Sequence, residues 1–181
     1  MASFYTEVTP EIKSFIEAQK IFFVATAADE GRINLSPKGL DTFRVIDNNR
    51  VLWLNLTGSG NETAAHLLKN NRMTVMFCSF EGKPLILRLY GNAKMYHESD
   101  VEFKDYIDLF PKISGTRQIV EMRVESLQTS CGYAVPFMDF KDERRQLNSW
   151  AEKQGKERLQ NYRKEKNSKS IDGFDTGLLE G

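Results

Sequence analysis

Residues 52–77 read LWLNLTGSGNETAAHLLKNNRMTVMF, and two changes of period inside them decide the fold. Val51 to Leu56 (VLWLNL) is an apolar run of strand length. Gly58 and Gly60 break it. Ala64, Leu67 and Leu68 then share one side of a short helix, and Met73 to Phe80 (MTVMFCSF) returns as a strand. Strand–helix alternation of this kind does not run along the whole chain.

Outward from this stretch, the strands come in hairpins. Upstream, Thr9-Pro10 reads as an N-cap with Pro at the first helical position, and Ile12, Phe15 and Ile16 lie on one face of the helix. Ile21 to Ala27 (IFFVATA) and Arg32 to Ser36 form a hairpin around Asp29-Glu30-Gly31, with Pro37 and Gly39 expected to end the second strand. Thr42 to Ile46 pairs through Asn48-Asn49 with the Val51 strand. Downstream, Leu85 to Tyr96 is a long strand with Gly91 as a bulge or bend. Ser99-Asp100-Val101-Glu102 reads as a capping box opening a helix that ends near Phe110-Pro111. Gln118 to Leu127 alternates as a seventh strand, and Asp142 to Lys166 is polar and helical. A doubly wound parallel sheet needs strand–helix alternation throughout, so it is excluded. The expectation is a mainly β (α+β) fold: a six- to seven-stranded antiparallel sheet that avoids exposed edges by closing into a barrel. Residues 1–137 would form the barrel, and residues 138–181 a helix and tail packed on it or on a partner.

The 181 residues are 40% hydrophobic and 28% charged, the make-up of an ordinary globular chain. Lys+Arg and Asp+Glu both number 25, which argues against a nucleic-acid binder. No apolar run reaches membrane-spanning length. MASFYTEVTPEIKSF lacks a basic segment followed by an apolar core, and Cys78 and Cys131 are too few to staple the chain. A cytoplasmic, reduced protein is expected. Charge is uneven: Lys141 to Lys169 holds ten basic against five acidic residues, and the tail adds Asp172, Asp175 and Glu180. The basic stretch reads as a solvated helix face, or as a surface for an acidic partner.

Three segments could carry chemistry. Gly58-Ser59-Gly60-Asn61-Glu62-Thr63 leads a strand into a helix. The first-turn N–H groups favour an anion, Asn61 or Ser59 can cap, and Thr63 offers a hydroxyl; the same residues also suffice for a bare turn. Asn34, Ser36 and Lys38 lie at period two, so an amide, a hydroxyl and a cation point the same way, toward a ligand or toward solvent. Arg88 is a charge inside an apolar strand and needs a phosphate or a carboxylate such as Glu62. In the third segment, Ser130 to Pro136, no spacing ties a base to Cys131, and Tyr133 is a candidate lid. His66 and His97 lack zinc-ligand spacing, and His66 reads as a surface residue. No metal site and no catalytic acid or base is assigned.

Together these segments resemble the pyridoxamine 5'-phosphate oxidase-like family of flavin-binding split barrels. The resemblance runs from about Val8 to Gly177 and rests on FFVATAADEGRINLSPKG, LWLNLTGSGNETAAHLLKNNRMTVMF, LRLYGNAKMY, and SCGYAVPF with SIDGF. It implies a homodimer with FMN at the subunit interface and an oxidoreductase passing hydride or electrons between an unidentified small substrate and the flavin. The alternative is a flavin- or haem-binding carrier or sensor. By position, phosphate contacts fall on Asn34, Ser36 and Lys38 and on Ser59, Gly60, Asn61 and Thr63. Trp53, Leu54 and Asn55 would run beside the isoalloxazine, and Arg88 would stand at the cofactor rim. Many members carry Ser-Arg-Lys where this chain reads Asn61-Glu62-Thr63, so phosphate charge shifts onto Lys38, Arg88 and the helix terminus. The Arg-rich closing segment of the vitamin B6 oxidase is missing, so pyridoxamine phosphate is not the expected substrate.

Overall fold

The computed structural model describes residues 2–178; Glu180, the last acid of the tail, lies outside them. Eight strands are β1 (Ser3–Tyr5), β2 (Phe22–Thr26), β3 (Asn34–Lys38), β4 (Phe43–Asp47), β5 (Arg50–Leu56), β6 (Arg72–Cys78), β7 (Ile86–His97) and β8 (Thr116–Ser130). The helices are α1 (Pro10–Ala18), α2 (Glu62–Lys69), α3 (Val101–Tyr106), which runs into a 3-10 turn at Ile107–Leu109, and α4 (Gln146–Lys166). The sheet order is β3-β2-β6-β7-β8-β5-β4, with β1 added to β8, and all pairings are antiparallel.

The sheet curls on itself. Phe43, from the β4 edge, meets Phe22 of β2 at 5.0 Å and Phe77 of β6 at 5.1 Å between ring centroids. Residues from opposite ends of the strand order therefore share one interior, which Val24, Val75, Leu89, Val120, Met122 and Leu127 fill. Ile12 and Ile16 bring α1 into it. Thr9 Oγ1 accepts from the Ile12 N–H at 3.3 Å, so the expected cap holds. Leu52, Leu54, Phe103, Phe110 and Ile119 form a second cluster on the outer face under α3. Burial of these apolar faces is what closes the sheet, because the terminal strands β3 and β4 are not hydrogen-bonded to each other.

Four expectations need correction. Among the described residues there are eight strands; β1 is short and exposed along its whole length, with no alternating pattern to reveal it. Pro37 does not end β3 but lies inside it opposite Phe23, which is tolerated because β3 is an edge strand. The capping box does not form: Asp100 occupies the N-cap and its carboxylate accepts instead from the His97 N–H at 2.7 Å. His66 is not a surface residue but is 1% exposed, because α2 packs that face against β2. Among the described residues no helix is long and apolar enough to cross a membrane, and no cluster of His, Cys, Asp or Glu is disposed to hold a metal.

Candidate functional site

A cleft of about 570 Å³ lies where β3, the end of β5, the glycine turn, the start of α2 and β8 converge, a size typical of small-molecule sites. The half-buried face of β3 turns Asn34, Ser36 and Lys38 into it, while Leu35 and Pro37 face out. Asn55, Ser59, Gly60, Asn61 and Thr63 complete the side predicted from sequence. Trp53 lies beneath, with the Lys38 ammonium 4.8 Å from its ring centroid. Leu54 points to the opposite face of the strand, into the outer cluster, so it is not beside the cleft. Arg88 is also elsewhere: on β7, between Met76 and Gln128, it donates to Ser130 Oγ at 3.3 Å, not to Glu62. Tyr133 is 83% exposed and Cys131 is a free, exposed thiol.

The polar groups around the cleft are mostly donors. Asn34 Nδ2 donates to both Thr26 Oγ1 and Thr63 Oγ1, each at 3.1 Å. Each hydroxyl, having accepted, keeps its own proton for another acceptor. Thr26 Oγ1 lies 3.0 Å from His66 Nδ1, where the imidazole tautomer decides which of the two donates, and His66 Nε2 is buried without a partner. For Thr63 no acceptor is present among the described residues, so its proton is available to the cleft. Ser36 Oγ is buried without a partner. Lys38 makes no hydrogen bond or ion pair among the described residues. Its pKa is pushed down to about 8, first by burial and then by the charge of Arg117.

Asn61 occupies the N-cap of α2, but its side chain does not cap. Its Nδ2 donates to the Asn167 carbonyl at 3.4 Å instead, and its Oδ1 is buried and unpartnered. Sequence reading also missed residues that come from far along the chain. Arg117, only 3% exposed, donates from Nη1 to the Gly60 carbonyl at 3.1 Å and to Asn167 Oδ1 at 2.6 Å, and its Nε has no partner. Burial, and then Arg163, hold its pKa below the usual arginine range, yet a guanidinium stays charged at neutral pH. Asn167 Nδ2 takes the Gly58 carbonyl at 3.0 Å. With both glycine carbonyls consumed, the turn offers N–H groups and few lone pairs. Lys166, Lys169, Ser170 and Ile171 close the outer side. Four cations thus line the cleft against one carboxylate, Glu62. A desolvated donor set of this kind suits an anion of more than one charge. An anionic phosphate end fits the residues present.

Comparison with known proteins agrees on family and fold. The family model for pyridoxamine 5'-phosphate oxidase matches residues 8–131. The pyridoxamine 5'-phosphate oxidase family protein ustO of Aspergillus flavus is 33% identical over 192 residues, covering 96% of this chain and 77% of that protein. HupZ from Group A Streptococcus superposes with a TM-score of 0.53 at 22% identity, over 66% of this chain and 91% of its own. A putative pyridoxamine 5'-phosphate oxidase from Lactobacillus delbrueckii does so at 0.54 and 15% identity, over 68% of this chain and 94% of its own. At such identities the two structures speak for the split-barrel fold alone.

Proposed function

The chain belongs to the pyridoxamine 5'-phosphate oxidase family, and on that premise we propose that it binds FMN in this cleft and acts as an oxidoreductase on a small substrate, as a homodimer. The observation that carries the reading is a pair of buried donors without partners, Ser36 Oγ and Arg117 Nε, on residues that line the cleft together with Lys38. A buried unpaired donor destabilises the free protein by about 1–3 kcal/mol, and the phosphate of FMN would satisfy both. Lys38 and Arg117 neutralise the dianion, while Ser36, Thr63 and the first-turn N–H groups of α2 donate to its oxygens. The Trp53 ring face steadies the Lys38 ammonium, 4.8 Å from its centroid. The buried amide of Asn55 is fixed by donating from Nδ2 to Gln118 Oε1 at 3.1 Å, leaving its own carbonyl for a ring N–H along β5. When bound, the flavin supplies the hydride and electron chemistry. The chain's part is to grip, orient and desolvate it. No cleft side chain is placed as acid or base.

The purified protein is expected to be yellow, or to turn yellow on titration with FMN, with bands near ~370 and ~450 nm. NADH and NADPH should then be tried as reductants of the loaded protein. A protein that stays colourless and takes up no flavin overturns the reading. A Soret band on haem titration in place of flavin bands would make it a carrier.

A further inference from the structure

The segment after α4 turns back over the cleft and is fastened at three points. Asn167 is locked by Arg117, by Gly58, and by Asn61 Nδ2 and Thr176 Oγ1, which both donate to its carbonyl. The Ile171 N–H donates to both oxygens of Glu62 at 3.1 Å. Asp172 accepts from the Arg32 N–H at 2.7 Å and from its guanidinium. Between these ties the chain forms a small closed loop, with the Ser170 N–H donating to the Phe174 carbonyl at 2.8 Å and Lys169 bridged to Asp175. The result is that Lys166 and Lys169 stand at the mouth of a cleft otherwise built from residues 34–63 and Arg117.

Glu62 is the anomaly of the site. A carboxylate in the first turn of a helix competes with any incoming anion for the same N–H groups. Here both of its oxygens accept from one backbone N–H of the folded-back segment, that of Ile171, while the residue still lines the cleft.

Resting on the FMN reading, we propose that residues 166–172 are a strap forming the outer wall of the phosphate site, that Lys169 supplies charge the α2 turn lacks, and that Glu62 is the clasp holding the strap. The strap retains the anion after it docks, so its loss acts mainly on the off-rate.

Two substitutions of Glu62 separate the clasp from simple repulsion. Glu62→Gln removes the charge and keeps an acceptor for the Ile171 N–H, whereas Glu62→Ala removes both. FMN binding is read by quenching of flavin fluorescence, and release by stopped flow. Lys169→Ala is expected to raise Kd about tenfold, and Glu62→Ala to release FMN about fivefold faster than Glu62→Gln. Lys164→Ala, on the exposed side of α4, should stay within about twofold of the parent. Wild-type affinity in Lys169→Ala, or equal tightening in both Glu62 variants, overturns the strap and leaves the flavin reading standing. Should the parent protein take no FMN, the flavin reading falls and inorganic phosphate decides the strap. A thermal midpoint raised by phosphate in the parent but not in Lys169→Ala supports it, and any other pattern overturns it.

Discussion

Lys38 is held in a state that costs the free protein something and serves the ligand. Its ammonium is mostly desolvated over Trp53, which pushes its pKa from 10.5 to about 8. In the unfolded chain the same group keeps its ordinary value. Between pH 8 and about 10.5 the unfolded state therefore binds more protons than the folded one, and the folded protein gains stability as pH rises. Phosphate binding runs the other way, since it needs the cation and fades as pH climbs past about 8. Urea unfolding of the flavin-free protein should thus show rising midpoints across this window, while FMN titrations at the same pH values show rising Kd. Lys38→Met should flatten the first trend and cost about 1.5–3 kcal/mol in FMN affinity at pH 7. An unchanged Kd would remove Lys38 from the site. Asn34, which lines the cleft, works at the same scale: by donating to both Thr26 Oγ1 and Thr63 Oγ1 it leaves the Thr63 proton for an acceptor in the cleft.

Among the elements, the β7–β8 ribbon carries the barrel, and one glycine permits its bend. The register slips between Tyr90 and Gly91, and a Cβ on Gly91 would stand 2.0 Å from the Arg123 carbonyl oxygen. Neither backbone can yield without breaking ladder bonds on both sides. Gly91→Ala should therefore destabilise the fold by about 3 kcal/mol or more, read as a lower urea midpoint with an unchanged slope. Near-parental stability would mean that the ribbon can bend without the bulge. This bulge was legible because a lone glycine inside a long strand run has few other reasons to be there. The β3 row and the α2 turn were legible for the same reason: period two and period 3.6 are local properties. The kink of α4 at Gly155, where φ is +68°, was not. Its lone glycine was a mark of the same kind, passed over in a polar helical run, and Trp150 packs on Tyr162 across the kink at 5.0 Å.

At the scale of the whole molecule, half of the candidate site is written in two short stretches and the other half is not written locally at all. Arg117 and the strap reach the cleft because β8 and α4 bring residues 117 and 166–171 to residues 34–63, and no spacing in the chain encodes that approach. The signal available for Arg117, a charge entering an apolar strand, was present equally in Arg88; only the fold shows which of the two is buried at the cleft. The same logic extends past one chain. Leu35 on the outer face of β3 is 65% exposed and Ile33, just before the strand, 78%, beside an edge strand whose other face holds Asn34, Ser36 and Lys38. An apolar edge so close to the site invites pairing or packing. In the homodimer we propose, a second copy covers it. Sedimentation should then find a particle twice the 20.8 kDa of the chain. Leu35→Glu should shift it toward monomer without unfolding it, because the side chain lies outside the core. FMN affinity should fall with the dimer, since the wall that β3 contributes would lose its cover. A Leu35→Glu protein that remains dimeric would place the interface on another face, and a monomeric one that still binds FMN at parental Kd would show that a single chain completes the cleft.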